Sequence, residues 1–230
     1  MLPIYDITPF SLIDYPGKVS SIIWFSGCNF QCTYCHNPDL KIKQTDILDK
    51  NTIFKFLESR KGLIDGVVLS GGECTLYNIK DLIKEIKALN FKVKIDTNGS
   101  NPILIHQLIN EDLIDFVALD FKASNVEKFF QLTKSYDYSK FLQTLYMLIQ
   151  TNVDHEVRTT IEKDIITFDE LVDIIKFLKT SDFSKTYYIQ NCRDENEKIN
   201  RNLEYMKDKV EDYIKDKDLK FKIEYRNFNS

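Results

Sequence analysis

The feature that most constrains this chain is a regular alternation. Short runs of β-branched and aromatic residues are separated by longer stretches of helical period. Val19–Phe25, Gly66–Leu69, Phe91–Ile95, Phe116–Leu119, Glu156–Ile161 and Thr186–Ile189 read as strands. Between them, Asp46–Ser59, Asn78–Leu89, Pro102–Ile109, a two-part region from Val126 to Gln150, and Thr167–Leu178 read as helices. Their aliphatic residues recur at helical spacing, as in Leu82, Ile83, Ile86 and Leu89. The pattern predicts about six βα units around a parallel sheet. With 230 residues, the chain suffices for one α/β domain with a full core and is short for two. Its core is expected over about residues 18–192, followed by an appendage over 194–230. In that appendage, Asp194 to Lys220 is dense in Glu, Lys and Asp, with Ile199, Leu203, Met206, Val210 and Ile214 among its few apolar positions. It predicts a surface-packed helix, and Lys220–Tyr225 a closing strand. Ahead of the first strand, "DYPGK" at Asp14–Lys18 predicts a turn.

The unusual polar residues follow this pattern. The first strand runs into Cys28, Cys32 and Cys35, the second into "SGGE" (Ser70–Glu73), and the third into "DTNG" (Asp96–Gly99). The fourth ends in "DFK" (Asp120–Lys122), the fifth carries Arg158, and the sixth ends in "QNC" (Gln190–Cys192). Parallel α/β barrels and open sheets bind ligands at the C-terminal ends of their strands, so six separate segments predict one cavity. Taken alone, "DTNG" reads equally well as a capped turn and "DFK" as a surface pair. Their recurrence at successive strand ends favours a site.

Three of the five cysteines lie in "GCNFQCTYCHNP", spaced C-x3-C-x2-C. The N-terminal "MLPIYDITPF" has no charged stretch followed by an apolar one, and no apolar run approaches the roughly 18 residues of a membrane span. These features predict a cytoplasmic protein with no membrane partner, and in that setting a tight cysteine cluster is metal-binding or catalytic. The formal charge of -4 offers no basic stripe for nucleic acid. A structural zinc site takes four protein ligands. There is no second CxxC here, and His36 follows Cys35 too closely to complete the usual spacing. Inert buried thiols are another alternative, set against a polar loop containing Asn29, Gln31 and Thr33. An iron–sulfur cluster normally takes four cysteines. Three would leave one iron of a 4Fe-4S cluster open, as a catalytic metal site requires.

The cysteine spacing, with Tyr34 ahead of the last cysteine, resembles the cluster loop of the radical S-adenosylmethionine (radical SAM) enzymes. "DYPGKVSSIIWFSGCNFQCTYCHNPDL", "SGGE", "DTNG", "DFKAS" and "EVRTT" stand in the order and approximate spacing of glycyl-radical-enzyme activases. Over about residues 10 to 192 the chain is most similar to the anaerobic ribonucleoside-triphosphate reductase activating proteins. The resemblance implies a partial (β/α)6 TIM-like barrel with a C-terminal helical extension, and a 4Fe-4S cluster on Cys28, Cys32 and Cys35. It also implies SAM chelated at the open iron through its amino and carboxylate groups. A reduced cluster then passes one electron to the sulfonium, and a 5′-deoxyadenosyl radical abstracts hydrogen while the protein orients the reactants and excludes water.

Individual roles follow from the same resemblance. Gly71 and Gly72 let the backbone approach the methionine, and Glu73 offers a carboxylate to the ammonium. Asp96 and Asp120 lie near the ribose and methionine end, where they also hold a monovalent cation. Lys122 pairs with the SAM carboxylate, Arg158 helps fix the cofactor, and Gln190 with Asn191 supplies an adenosine-side contact. Tyr34 and Asn37 flank the adenine, with His36 beside them. Cys74 stands where the family usually has proline, which leaves a fourth cluster ligand open; Cys192 is incidental.

In such activases the radical is passed to a backbone glycine of a glycyl radical enzyme, here expected to be the anaerobic ribonucleotide reductase. The eight-cysteine ferredoxin-like insert of some larger activases is missing, so an external flavodoxin or ferredoxin is the expected electron donor. The alternatives are an activase of another glycyl radical enzyme, a small-molecule enzyme resembling 7-carboxy-7-deazaguanine synthase, or a metal-binding module without catalysis.

Overall fold

In the computed structural model, which describes residues 2–35, 37–162, 165–192 and 203–228, the alternation folds around one eight-stranded sheet whose strands lie in chain order. It begins with a strand that the periodicity did not predict, β1 (Ile4–Ser11), antiparallel to β2 (Ser20–Phe25). β1 lacks clean alternation and contains Pro9, which an edge strand tolerates because one side of its backbone is unpaired. From β2 the sheet runs parallel through β3 (Gly66–Gly71), β4 (Lys92–Thr97), β5 (Phe116–Asp120), β6 (Asp154–Ile161) and β7 (Thr186–Asn191). These are the six expected strands. The expected closing strand is β8 (Lys222–Arg226), parallel to β7. Among the described residues β1 and β8 do not pair with each other, so the barrel is partial and open on that side.

The connections are helical. They are α1 (Lys50–Ser59), α2 (Lys80–Ala88), α3 (Pro102–Asn110), α4 (Val126–Thr133), α5 (Tyr138–Gln150), α6 (Phe168–Thr180) and α7 (Glu204–Ile214). The two-part region thus splits at Lys134, whose left-handed backbone (φ 55°) ends α4. Side-chain caps start several of them: Asp49 on α1, Asn101 on α3, Asn125 on α4, and Thr167 with Glu170 as a capping box on α6. Of the expected C-terminal helix, Asp194 to Lys220, the described residues form α7 over Glu204–Ile214. Of its apolar positions Leu203, Met206 and Val210 are buried, whereas Ile199 and the segment 193–202 lie outside the described residues.

Strands covered on both faces read as near-continuous apolar runs, as in "SSIIWF" of β2 and "GVVLSG" of β3. Their outward residues, such as Ile23, Phe25, Val67 and Leu69, join the main core under the helices. On the other face Tyr15, Ile22 and Val68 pack with Trp24 and Phe116. Tyr15 belongs to the expected turn, closed by Lys18 N–H to Tyr15 O at 3.1 Å. This plug leaves the C-terminal half of the interior to polar side chains. Among the described residues no helix is long and apolar enough to cross a membrane.

Candidate active site

The C-terminal ends of β2 to β7 surround one cleft of about 980 Å³, counting its open mouth. Of the described residues predicted for the site, Cys28, Cys32, Tyr34, Cys35 and Asn37 after β2, Gly71, Gly72 and Glu73 after β3, Asp96, Asp120 and Lys122, Arg158 and Gln190 line it, and Asn191 does not. His36 lies outside the described residues. Trp24, Ser70, Thr97, Asn98 and Thr160 also line it.

The loop carrying the three cysteines has no regular structure, and its backbone is held from both sides. Gly27 and Cys28 donate to the carbonyls of Leu40 (2.8 Å) and Lys41 (3.0 Å). Gln31 and Thr33 donate to Thr133 (2.8 Å) and Leu132 (3.3 Å) at the C-terminal end of α4. Lys41 Nζ also donates to Cys32 O at 3.3 Å. Phe30 N–H points at Cys28 Sγ from 3.3 Å, and Asn98 Nδ2 lies 3.9 Å from the same sulfur. Burial pushes the Cys28 thiol up to about 12 and raises that of Cys32, so binding a metal centre must displace protons. Among the described residues no three Cys, His, Asp or Glu groups converge on a single-ion position.

Glu73 is almost completely buried. Its Oε1 accepts from Thr75 N–H (3.1 Å), Thr75 Oγ1 (2.5 Å) and Thr97 Oγ1 (2.9 Å), and its Oε2 from Asn98 N–H (2.7 Å). Burial raises its pKa against those donors. Among the described residues no cationic side chain forms an ion pair with it, which leaves an anionic corner suited to a ligand cation. Asn98 ties this corner to the cluster loop, since its Nδ2 also donates to Asn29 Oδ1 at 3.0 Å. The sequence reading missed that role, and its signal was present in the Asn of "DTNG".

The opposite wall is charge-paired. Arg158 holds Asp120 at 2.9 Å and Asp96 at 3.4 Å; Lys94 pairs with Asp96, and Lys122 with Asp120 at 3.2 Å. Ser70 Oγ also donates to Asp96 at 3.0 Å. Burial would raise the Asp120 carboxyl, but Arg158 and Lys122 outweigh it and hold it at about 2; Asp96 is lowered in the same way by Arg158 and Lys94. Lys122 Nζ lies 5.8 Å above the Tyr34 ring, so one face of the ring expected at the adenine is already used.

One expectation, Asn191 at the adenosine side, needs correction, and the fold adds detail at Gly71, Gly72 and Cys74. The space left by Gly71 and Gly72 is filled by the chain itself, because an added Cβ would meet Phe25 O at 2.2 Å and Gly27 O at 2.3 Å. These glycines let the β3 end close against β2, through Gly72 N–H to Phe25 O (2.7 Å) and Glu73 N–H to Gly27 O (2.9 Å). Cys74 is fully buried on a short 3-10 turn, with its sulfur toward Leu69 O (3.7 Å) and Asp96 O (3.6 Å). It packs in the main core. Asn191, expected beside Gln190, is buried and does not line the cleft. Cys192 is buried as well.

The profile of the Radical SAM superfamily matches residues 22–189, which run from β2 into β7. The chain belongs to this superfamily. A Methanocaldococcus jannaschii protein provisionally named a glycyl-radical enzyme activating enzyme is 36% identical over 185 residues, 76% of this chain and 75% of that one. The pyruvate formate-lyase-activating enzyme of Clostridium pasteurianum is 32% identical over 128 residues, 52% of each chain. In fold, Streptococcus suis SuiB bound to its precursor peptide SuiA aligns with a TM-score of 0.69 at 16% identity, over 88% of this chain and 48% of that one. A radical SAM enzyme implies a 4Fe-4S cluster and SAM, and the cleft fits both. It offers three thiols on one loop, an N–H donor to one of their sulfurs, a carboxylate with no ion-pair partner among the described residues, and a charge-paired wall that includes Lys122.

Proposed function

We propose that the protein is an activase that places a glycyl radical on a partner enzyme, the anaerobic ribonucleoside-triphosphate reductase. The observation that carries this reading is the similarity, over three quarters of each chain, to a protein named for glycyl-radical enzyme activation. The unclosed side of the barrel between β1 and β8 supports it, because a glycine inside a folded partner needs lateral access. Bound at the cleft, the cluster and SAM supply one-electron cleavage of the S–C5′ bond and the radical that removes a glycine hydrogen.

The chain's own side chains bind and orient. Cys28, Cys32 and Cys35 would hold three irons. Glu73 would receive the SAM ammonium, and Lys122 the carboxylate, by charge-assisted hydrogen bonds. Asp96 and Asp120, fixed by Arg158, would face the ribose and methionine end and hold a monovalent cation. Gln190, Asn37 and Tyr34 would border the adenosine. A flavodoxin or ferredoxin in the cytoplasm would supply the electron.

The test is anaerobic electron paramagnetic resonance on the reconstituted, reduced protein mixed with SAM and the reductase of the same organism, with 5′-deoxyadenosine quantified in parallel. A stable glycyl doublet on the reductase is expected. A doublet formed only on another glycyl radical enzyme would keep the activase and replace the partner. Deoxyadenosine with no glycyl signal on any such enzyme would overturn the activase reading.

A further inference from the structure

On β6, Glu156, Arg158 and Thr160 point to the same interior face, yet only Arg158 and Thr160 line the cleft. Glu156 lies deeper, 1% exposed. Its carboxylate takes both forks of Arg226 from β8, each at 2.8 Å. The same guanidinium donates to Gln190 Oε1 at 3.3 Å and stacks 3.6 Å from the Tyr188 ring centroid. Gln190 in turn donates through Nε2 to Thr160 Oγ1 at 3.3 Å. Burial works against the charge of Arg158, and Asp120, Asp96 and then Glu156 outweigh it. Three carboxylates therefore stand around Arg158, and Arg226 engages one of them.

We propose that Arg226 is a positioning residue of the radical SAM cleft: by holding Glu156 and Gln190, it leaves Arg158 committed to Asp96 and Asp120. Arg226 lies beyond the residues matched by the superfamily profile, which end at 189. Without it, Glu156 becomes a buried carboxylate lacking its bidentate partner, and the next cation along its own strand is Arg158. The longer Arg158 contact, 3.4 Å to Asp96, yields first. Gln190 also loses the donor that fixes its amide.

The inference rests on the superfamily reading of the cleft and not on the activase reading. It is tested on cluster-reconstituted wild type, Arg226→Met, Arg226→Lys and the double variant Glu156→Gln/Arg226→Met. SAM affinity is read by anaerobic equilibrium dialysis, the SAM-induced change in the reduced cluster's paramagnetic spectrum reports geometry, and thermal unfolding reports the fold. Arg226→Met should weaken SAM binding about tenfold and alter that spectral change. Arg226→Lys, which keeps the charge but not the fork, should fall between it and wild type. The double variant, with no buried charge to compete for Arg158, should recover to within about twofold of wild type. A β8 that serves only as a clasp would lower the melting temperature and leave SAM affinity unchanged. That outcome, or a double variant as weak as the single one, would overturn the proposal. If Arg226→Met does not fold, the double and lysine variants decide by the same criteria. Wild type that fails to bind SAM would overturn the cleft reading and this inference together, whereas a missing glycyl radical would remove only the activase reading.

Discussion

The two walls of the cleft present carboxylates in opposite states. Glu73 is caged by neutral donors and has no ion-pair partner among the described residues. Asp96 and Asp120 share Arg158 and have one lysine each. The first wall, with its three thiols, holds unspent ligand capacity; the second is nearly neutralised by its own cations. The difference teaches that a cluster of acidic residues is not one kind of site. Substitutions on the thiol wall should cost function first, and those on the paired wall should cost stability first.

The largest expected effect is on the thiol wall. Cys28→Ala, Cys32→Ala or Cys35→Ala should each abolish SAM cleavage with the fold retained, while Cys192→Ala cleaves SAM nearly as wild type. Deoxyadenosine release and circular dichroism measure the two sides, and full activity in Cys32→Ala would break the cluster assignment. Next comes Arg158→Met, which leaves two carboxylates short of their shared partner. It should destabilise the fold by about 3–5 kcal/mol, read by denaturant unfolding, and a loss below about 1 kcal/mol would mean the paired wall is not a structural unit.

Glu73→Gln sharpens the contrast from the other side. One donor of the cage loses its acceptor, costing about 1–3 kcal/mol, yet SAM affinity should fall about tenfold or more in equilibrium dialysis. Acid tests the paired wall again. Because Asp96 and Asp120 are held below the ordinary carboxylate value, Asp120 at about 2, their contribution is full above about pH 4 and is lost as the pH falls toward 2. The melting-temperature gap between wild type and Asp120→Asn should therefore narrow below pH 4; a constant gap would place the effect elsewhere. The smallest effect is expected for Cys74→Ala. It should cost about 1 kcal/mol and leave the iron content of the reconstituted protein unchanged, and iron loss would add Cys74 to the ligand set.

Local pattern carries far in this chain because both of its main signals are local. Strand and helix periods span fewer than about 20 residues, and the ligand motifs are short segments that continue strand ends. The six parallel strands, the cysteine loop, "SGGE", "DTNG" and "DFK" were therefore legible, and the cleft unites them. β1 was not, because an edge strand containing Pro9 has no buried face along its whole length and shows no clean alternation. Gly71 and Gly72 line the cleft and also let the β3 end close against β2. Glycine marks close approach in a sequence, but only the fold shows that the approaching groups are Phe25 and Gly27.

Local sequence pattern specifies the βα order, the three-cysteine loop and the strand ends at which the polar motifs gather. Tertiary structure decided which charges meet. Arg226 reaches Glu156 across 70 positions, and Asn98 reaches Asn29 across 69. Such pairs depend on strand register and on the order in which strands add to the sheet. Neither leaves a local period, because a buried ion pair is chosen by the low-dielectric interior that the whole chain encloses.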